Sequence, residues 1–360
     1  MSLKTAVTCG TNFGGGGLGQ HLKLVVEDEE RTNPGGVRCY CSNGNGDPRC
    51  IEVRDPSRLW HLIGKVARYS PGWRSFLGCD RFDETASHRL GKFHRVIGFV
   101  GQCDKIFSAA RRHGSCYLVV HAANSHVDNV RNLHARARTL CPVEAPWLNG
   151  AQANKTRHEY STTDEIVVAS EYTRKTFLER GFKPEMLSRI WLLPDSRFTP
   201  LLEPLPRSTF NIVYVGAVTV AKGVPVLLNA FEQITNPEAR LTLVGGYTSP
   251  GMRKFMTAKM AKDSRITLAP GDPLPHLMQA DVCVHPSWED GWAYAPAEAL
   301  ACGVPTIVTQ DTGMKELINE GINGYVVPTG EWEPILERIR AIELKPLRGF
   351  KPPEYPVVVR

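Results

Sequence analysis

The sequence predicts an α/β protein made of two Rossmann-like parallel-sheet domains. Three observations predict it. The chain has 360 residues, enough for two domains of ordinary size. Short β-branched runs alternate with helical periodicity, most legibly after residue 208. A proline-dense stretch, Leu201-Leu202-Glu203-Pro204-Leu205-Pro206-Arg207, breaks both patterns as a linker does. The expected division is 1–203 for the first domain, 204–344 for the second, and 345–360 for a proline-rich tail crossing back to the first.

The second half reads element by element. Phe210 to Val215 is a short buried strand ended by Gly216, and Pro225, Val226, Leu227, Leu228, Ala230 and Phe231 form the next helix. A strand at Arg240–Val244 closes on Gly245-Gly246 and precedes a helix near Met252–Ala261. A strand at Arg265–Leu268, a short helix around Leu274–Met278 and a strand at Val282–His285 follow. A helix that includes Glu298–Ala301 is capped by Gly303, Pro305–Val308 is one more strand, and Pro334–Glu343 is a last helix. Such alternation gives a parallel sheet covered on both faces, with ligands at the carboxyl ends of its strands. The first half is similar but less regular. Thr5–Cys9, Val96–Val100, Tyr117–His121 and Glu165–Ala169 read as strands, and a helix starts near Gln20. The stretch 27–55, rich in Gly, Asn, Cys and charge, yields no assignment.

Composition narrows the function classes. At 42% hydrophobic and 22% charged the chain is globular, neither disordered nor membrane-spanning. Met1 to Val7 has no long apolar core and reads as the first strand rather than a signal peptide, so a cytoplasmic protein is expected. Ten cysteines without a small-scaffold spacing read as reduced thiols. Cys39-Tyr40-Cys41 with Cys50 is not a paired C-x-x-C set, and no metal is expected there. The net charge of +6 includes the clusters Arg111-Arg112-His113 and His134-Ala135-Arg136-Ala137-Arg138. These suit solvated helix faces; no nucleic-acid motif accompanies them, and no nucleic-acid partner is expected. Arg58 to Tyr69, with Trp73 and Phe76 beyond, mixes aromatic and basic residues. It reads as a core-facing helix or as one resting peripherally on an anionic inner membrane face.

Several residues are placed for chemistry. Asp290 and Glu298 are separated by seven residues, the first on a loop after a strand, the second on the helix that follows. Carboxylates there accept hydrogen bonds from sugar or ribose hydroxyls. The amides of Gly291, Trp292 and Ala293 precede a helix N-terminus, which favours an anion or sugar oxygen. Lys222 follows the strand–glycine turn at Gly216, where an ammonium meets phosphate. Gly14-Gly15-Gly16-Gly17-Leu18-Gly19 permits close backbone approach at the end of the first strand. It satisfies several registers of G-x-G-x-x-G, yet no acid at the end of a second strand accompanies it. His121 ends the strand Tyr117-Leu118-Val119-Val120, with His126 as its rival.

The joint order of these pieces resembles the retaining glycosyltransferases of family four. The resemblance is carried by Ser287-Trp288-Glu289-Asp290-Gly291-Trp292-Ala293-Tyr294-Ala295-Pro296-Ala297-Glu298, by Gly303-Val304-Pro305-Thr306-Ile307-Val308, by Glu316-Leu317-Ile318 with Gly321-Ile322-Asn323-Gly324-Tyr325-Val326-Val327-Pro328, and by Val215-Gly216-Ala217 through Lys222-Gly223. It covers roughly 165–330 well and the earlier part loosely. It implies the GT-B fold, two Rossmann-like domains facing each other across a cleft. It implies an E-x7-E pair in which Glu298 holds the ribose and Asp290 the donor-sugar hydroxyls. By the same resemblance Lys222 faces the diphosphate, Gly15 and Gly16 lie against it, and His121 touches the donor sugar. Three departures stand out: Asp290 replaces the usual Glu, with Glu289 a one-residue register alternative; Ala217 stands where many relatives carry an arginine; and the chain ends soon after Gly330.

The expected protein is therefore a retaining, metal-independent hexosyltransferase with no cofactor. It would take a UDP- or GDP-sugar as donor and a saccharide or lipid-linked hydroxyl as acceptor, in surface polysaccharide or glycolipid synthesis. The alternatives are a GT-B nucleotide-sugar epimerase or hydrolase, and a catalytically degenerate nucleotide-binding module. A dehydrogenase is the outsider.

Overall fold

A computed structural model describes residues 4–54, 70–200 and 208–355. The basic-aromatic segment 58–69 and the linker 201–207 lie outside them. The chain forms two compact units, residues 1–131 with 146–192, and residues 132–145 with 193–360. The division thus falls at Leu192, ahead of the proline-dense stretch, and the segment 132–145 joins the second unit, which a single linear boundary does not anticipate.

The first unit holds seven strands: β1 (Thr5–Asn12), β2 (Val37–Asn43), β3 (Cys50–Glu52), β4 (Arg95–Phe99), β5 (Tyr117–Ala122), β6 (Glu165–Val168) and β7 (Leu187–Arg189). They pair in the order β3-β2-β1-β4-β5-β6-β7, every pair parallel. The helices are α1 (Gly16–Thr32), α2 (Pro71–Arg89), α3 (Asp104–Arg112), α4 (Val127–Leu140, which runs into the second unit), α5 (Gly150–Thr162) and α6 (Glu171–Leu178). Val96, Leu118, Val120, Ile166 and Val168 pack with Ile106, Phe107, Tyr160 and Phe177 in one buried cluster. The unassigned stretch 27–55 contains the end of α1, β2 and the three-residue β3. Its strands are short or interrupted by turn residues, so alternation alone does not reveal them.

The second unit repeats the plan. Its strands are β8 (Phe210–Val215), β9 (Ala239–Val244), β10 (Ile266–Leu268), β11 (Val282–His285), β12 (Thr306–Thr309) and β13 (Gly324–Val327). They pair parallel in the order β10-β9-β8-β11-β12-β13. The helices are α7 (Val224–Phe231), α8 (Pro250–Lys262), α9 (Leu274–Leu277), α10 (Tyr294–Ala301) and α11 (Glu333–Leu344). Successive strand residues point to opposite faces. Ile212 and Tyr214 join the larger cluster with Leu227 and Phe231, whereas Val213 joins the smaller one with Cys283, Ala299 and Phe198. Burial on both faces explains why Ile212 to Val215 of β8 read as an unbroken apolar run. The described part of the tail packs on this unit, through Leu347 against the core, Arg348 on Asp281 and Tyr355 against Trp292. Among the described residues no helix is long and apolar enough to cross a membrane.

In both sheets the strand order reverses between two central neighbours, β1 and β4 in the first, β8 and β11 in the second. Chains leaving those strands in opposite directions open a crevice at their carboxyl ends. Gly223 shows how tightly the second crevice is built. Its φ is +72°, and a Cβ there would sit 1.8 Å from the Pro286 carbonyl oxygen. Gly223→Ala is expected to cost on the order of 2–4 kcal/mol, since the obstacle is backbone. Gly246→Ala, with nothing within 4 Å, is expected to be close to neutral. Urea unfolding midpoints compare the two; equal midpoints would contradict this account of the turn.

Candidate active site

The second unit gathers the sequence-predicted residues from two loops. Gly216 ends β8 with φ +144°, its amide donating to Val244 O at 2.9 Å. The following turn is clamped from outside the sheet. Glu144 accepts from the Val220 amide at 2.6 Å and from the Ser249 hydroxyl at 2.6 Å, so the 132–145 segment fixes the turn that carries Lys222. The Lys222 amide donates to Thr219 Oγ1 at 3.0 Å. From there the Lys222 ammonium reaches Asp290 Oδ2 at 2.5 Å.

Asp290 is held from its own side as well. Its amide donates to Asp311 O at 3.1 Å, the Gly313 amide donates to Asp290 O at 2.9 Å, and the Met314 amide donates to Trp292 O at 3.1 Å. The loop is thereby stitched to the chain after β12, with Asp290 bridging Thr312. His285, at the end of β11, shares the same carboxylate oxygen at 3.2 Å through Nε2. Burial lowers the His285 pKa despite the adjacent carboxylate, so the ring is neutral and donates its Nε2–H. Burial by itself would raise the Asp290 pKa, but Lys222 and His285 outweigh it and hold the carboxyl well below its ordinary range. Lys222 is raised in turn: burial opposes its charge, and Asp290 more than compensates. In the choice of register, it is Asp290 that meets Lys222 and His285, while the Glu289 side chain is buried.

Glu298 lies on α10 and is 7% exposed. Burial lifts its pKa from 4.5 to about 7, with Arg197 pulling the other way. Arg197 is itself engaged by Asp272, at 2.8 and 2.9 Å. A buried carboxyl with this shift is ready to accept from a donor that arrives from outside. Between the two acids, Trp292 is buried at 1% exposure and in ring contact with Tyr355. Ala293 precedes α10 with φ +75°, ψ +104°, a strained backbone for a residue with a Cβ. Strain of that kind persists where the surrounding structure holds the chain in place.

The first unit places its predicted residues at the other switch point. Gly15 is the N-cap of α1, and Gly16 has φ +61°. His121 is fully buried on β5, its Nδ1 3.0 Å from His21 Nε2, with Phe99 stacked on it at 5.3 Å. Its rival His126 sits instead in an aromatic cluster with Tyr160, Phe177 and Phe182, where burial depresses its pKa to about 4. The sequence reading missed His21, His134 and His285. His21 is the fifth residue after Gly16, on the helix the glycine run opens, and burial lowers its pKa to about 3. His134 reads as part of a solvated basic cluster, yet burial brings its pKa to about 4, with Lys222 adding to the fall and Asp290 opposing it. Arg136 of that cluster lies over the Trp288 ring at 5.7 Å. A cavity of about 370 Å³ beside Trp288 and Trp332 contains none of the predicted residues.

Comparison with known proteins agrees with this layout. Residues 209–343 match the model of the family Glycosyl transferases group 1. The matched residues lie within the second unit. It is 26% identical over 164 residues to a D-inositol 3-phosphate glycosyltransferase of Arthrobacter sp. (strain FB24), covering 39% of this chain and 38% of that protein. It is 24% identical over 155 residues to the capsular polysaccharide biosynthesis glycosyltransferase CapM of Staphylococcus aureus, covering 42% of this chain and 41% of that one. The matches thus span about two fifths of these relatives. The fold extends further. Sucrose-phosphate synthase from Thermosynechococcus elongatus superposes with TM-score 0.75 at 18% identity, over 96% of this chain and 90% of that one. Anabaena HepE in complex with UDP-glucose superposes with TM-score 0.66 at 15% identity, over 95% and 90%. The matched residues 209–343 thus fall within one of two parallel-sheet α/β units of a GT-B fold.

A carboxyl whose pKa is raised by folding takes up a proton as the chain folds. Its contribution to stability is complete below the unfolded value of 4.5 and shrinks as pH climbs to about 7. Unfolding free energies of the wild type and Glu298→Gln, measured across that window, should therefore diverge. The wild type is expected to lose, relative to the variant, at most on the order of 3 kcal/mol. Parallel profiles would contradict the buried, unpaired state of Glu298.

Proposed function

We propose that the protein is a retaining glycosyltransferase that uses a UDP- or GDP-sugar. The observation that carries this reading is the convergence of Lys222, Asp290 and His285 at the switch point of the second sheet, with buried Glu298 on the adjoining helix. Each residue takes a role that its surroundings suit. Glu298 accepts hydrogen bonds from the ribose hydroxyls. Both contacts on Asp290 fall on Oδ2, so Oδ1 is left for a donor-sugar hydroxyl. The Lys222 ammonium has three N–H groups, and one directed at Asp290 leaves two for the diphosphate. Its charge offsets the negative charge that grows on the leaving group. The amides of Gly291, Trp292 and Ala293 at the start of α10 add positive potential. Ala217 contributes no cation, so Lys222 carries a larger share of that work.

The donor class is supported by the structural neighbour HepE, solved in complex with UDP and glucose and with UDP-glucose. The relatives' names, capsular polysaccharide biosynthesis among them, support a saccharide or lipid-linked acceptor. Retention without a divalent cation at the diphosphate follows from the resemblance: lysine and helix amides take the place a cation would hold. By the same resemblance His121, whose Nδ1 lies 3.0 Å from His21 Nε2, is assigned to the donor sugar. The location proposed is cytoplasmic, with peripheral contact at the inner membrane face.

Calorimetric titration with UDP and GDP, without added divalent cation, tests the donor site. Micromolar binding of one of them is expected, weakened roughly 10- to 100-fold in Glu298→Ala by loss of charged hydrogen bonds. In Lys222→Ala, kcat is expected to fall roughly 100- to 1,000-fold, as when one donor to a developing anion is removed. No binding of either nucleotide, or near-wild-type turnover in Lys222→Ala, would overturn the assignment. Release of free sugar with no transfer to any acceptor would favour a hydrolase instead.

A further inference from the structure

The three cysteines that the sequence spacing does not pair come together in the fold. Cys39 and Cys41 lie two apart on β2 and so share one face of the sheet. Cys50 opens β3 directly opposite Cys39 in the parallel register. The three Sγ atoms all lie within 4.8 Å of one another, Cys39 and Cys41 fully buried and Cys50 half-buried. Thiolates around a tetrahedral zinc ion, at about 2.3 Å from the metal, stand roughly 3.8 Å apart, so closing on an ion asks for shifts of about 1 Å at most.

The connecting loop is already rigid. The Asp47 amide donates to Gly44 O at 3.0 Å, the Cys50 amide to Asp47 O at 3.0 Å, and the Cys39 amide to Arg49 O at 2.9 Å. Glu52 accepts from the Gly44 amide at 3.2 Å. A Cβ on Gly44 would lie 2.6 Å from Cys50 Cβ, so the loop is folded closely over that thiol. The same loop grips the glycine run of the first unit. The Phe13 amide donates to Asn43 O at 2.8 Å, Asn45 Nδ2 donates to Phe13 O at 2.5 Å, and the Arg49 guanidinium lies 5.9 Å from the Phe13 ring centre.

We propose that Cys39, Cys41 and Cys50 form a binding site for one thiophilic d10 metal ion, Zn²⁺ above all. The ion braces loop 43–50 and, through Phe13, the glycine run 14–19. Three thiol protons leave as three metal–sulfur bonds form, and the fourth position is filled by solvent or by a carboxylate of Asp47 or Glu52. The ion is structural: it lies in the first unit, on β2 and β3, and does not take part in group transfer. The site stands on its own, independent of the transferase reading.

The test uses the full chain, reduced and stripped with a chelator. Titration with Zn²⁺ in buffers of different protonation enthalpy should give one ion per chain with release of protons. Co²⁺ in its place should give the visible bands of a tetrahedral ion and a thiolate charge-transfer band in the near ultraviolet. Cys41→Ser or Cys50→Ser should weaken zinc binding roughly 100-fold, whereas Cys141→Ser should not. Zinc should also slow amide exchange in Phe13–Gly16 and in 43–50 at least tenfold over the apoprotein, a readout that needs no variant to fold. Absence of stoichiometric uptake by the reduced wild type, cobalt spectra without thiolate charge transfer, or a disulfide between two of these cysteines in protein that then takes up no zinc would each overturn the proposal.

Discussion

The ion pair between Lys222 and Asp290 is the constraint on which the second unit depends. Both residues sit at the carboxyl ends of the two strands where the strand order reverses, so each must be held against the tendency of a loop to move. The chain supplies separate restraints for each: Glu144 and Thr219 for the lysine turn, and Asp311, Gly313 and His285 for the aspartate. Partial burial makes the pair cost desolvation, which is tolerable because each charge is the other's partner and His285 supplies a further hydrogen bond. Removal of one member leaves a buried charge without compensation, so the pair rises or falls together.

That arrangement explains the contrast between the two acids separated by seven residues. Asp290 is kept ionised by neighbours that have already arrived. Among the described residues Glu298 has no such neighbour at hand, since Arg197 is committed to Asp272, and burial pushes its proton affinity up. One carboxylate is therefore held ionised by its own chain, whereas the other keeps its proton to higher pH. Two residues of the same chemistry are set apart through environment alone, which suits the separate roles proposed for them. The strained backbone at Ala293 lies between them and turns the chain from one to the other.

Much of the fold was legible because the second sheet is buried on both faces, which writes its strands as short apolar runs separated by glycine and helical spacing. Strands β3, β7 and β13 were not read as strands, although β10, no longer than they are, was; each of the three is an edge strand that pairing with a single neighbour defines. The site was legible where its residues are close in sequence, as Asp290 to Glu298 are. His285, His134 and Glu144 were not, because each acts through a contact that the sequence does not display. His134 and Glu144 belong to the segment 132–145, which the chain folds into the second unit although the residues flanking it belong to the first. The three cysteines show the same limit: their relation is the register between β2 and β3, which spacing cannot reveal.

The most direct measurement of the central claim is a crystal structure with a nucleoside diphosphate bound. The account predicts the ribose hydroxyls on Glu298, and the diphosphate against Lys222 and the amides of Gly291 to Ala293, with the Lys222–Asp290 contact retained. A nucleotide bound elsewhere, for example in the cavity beside Trp288 and Trp332, or one whose phosphates avoid Lys222, would contradict it.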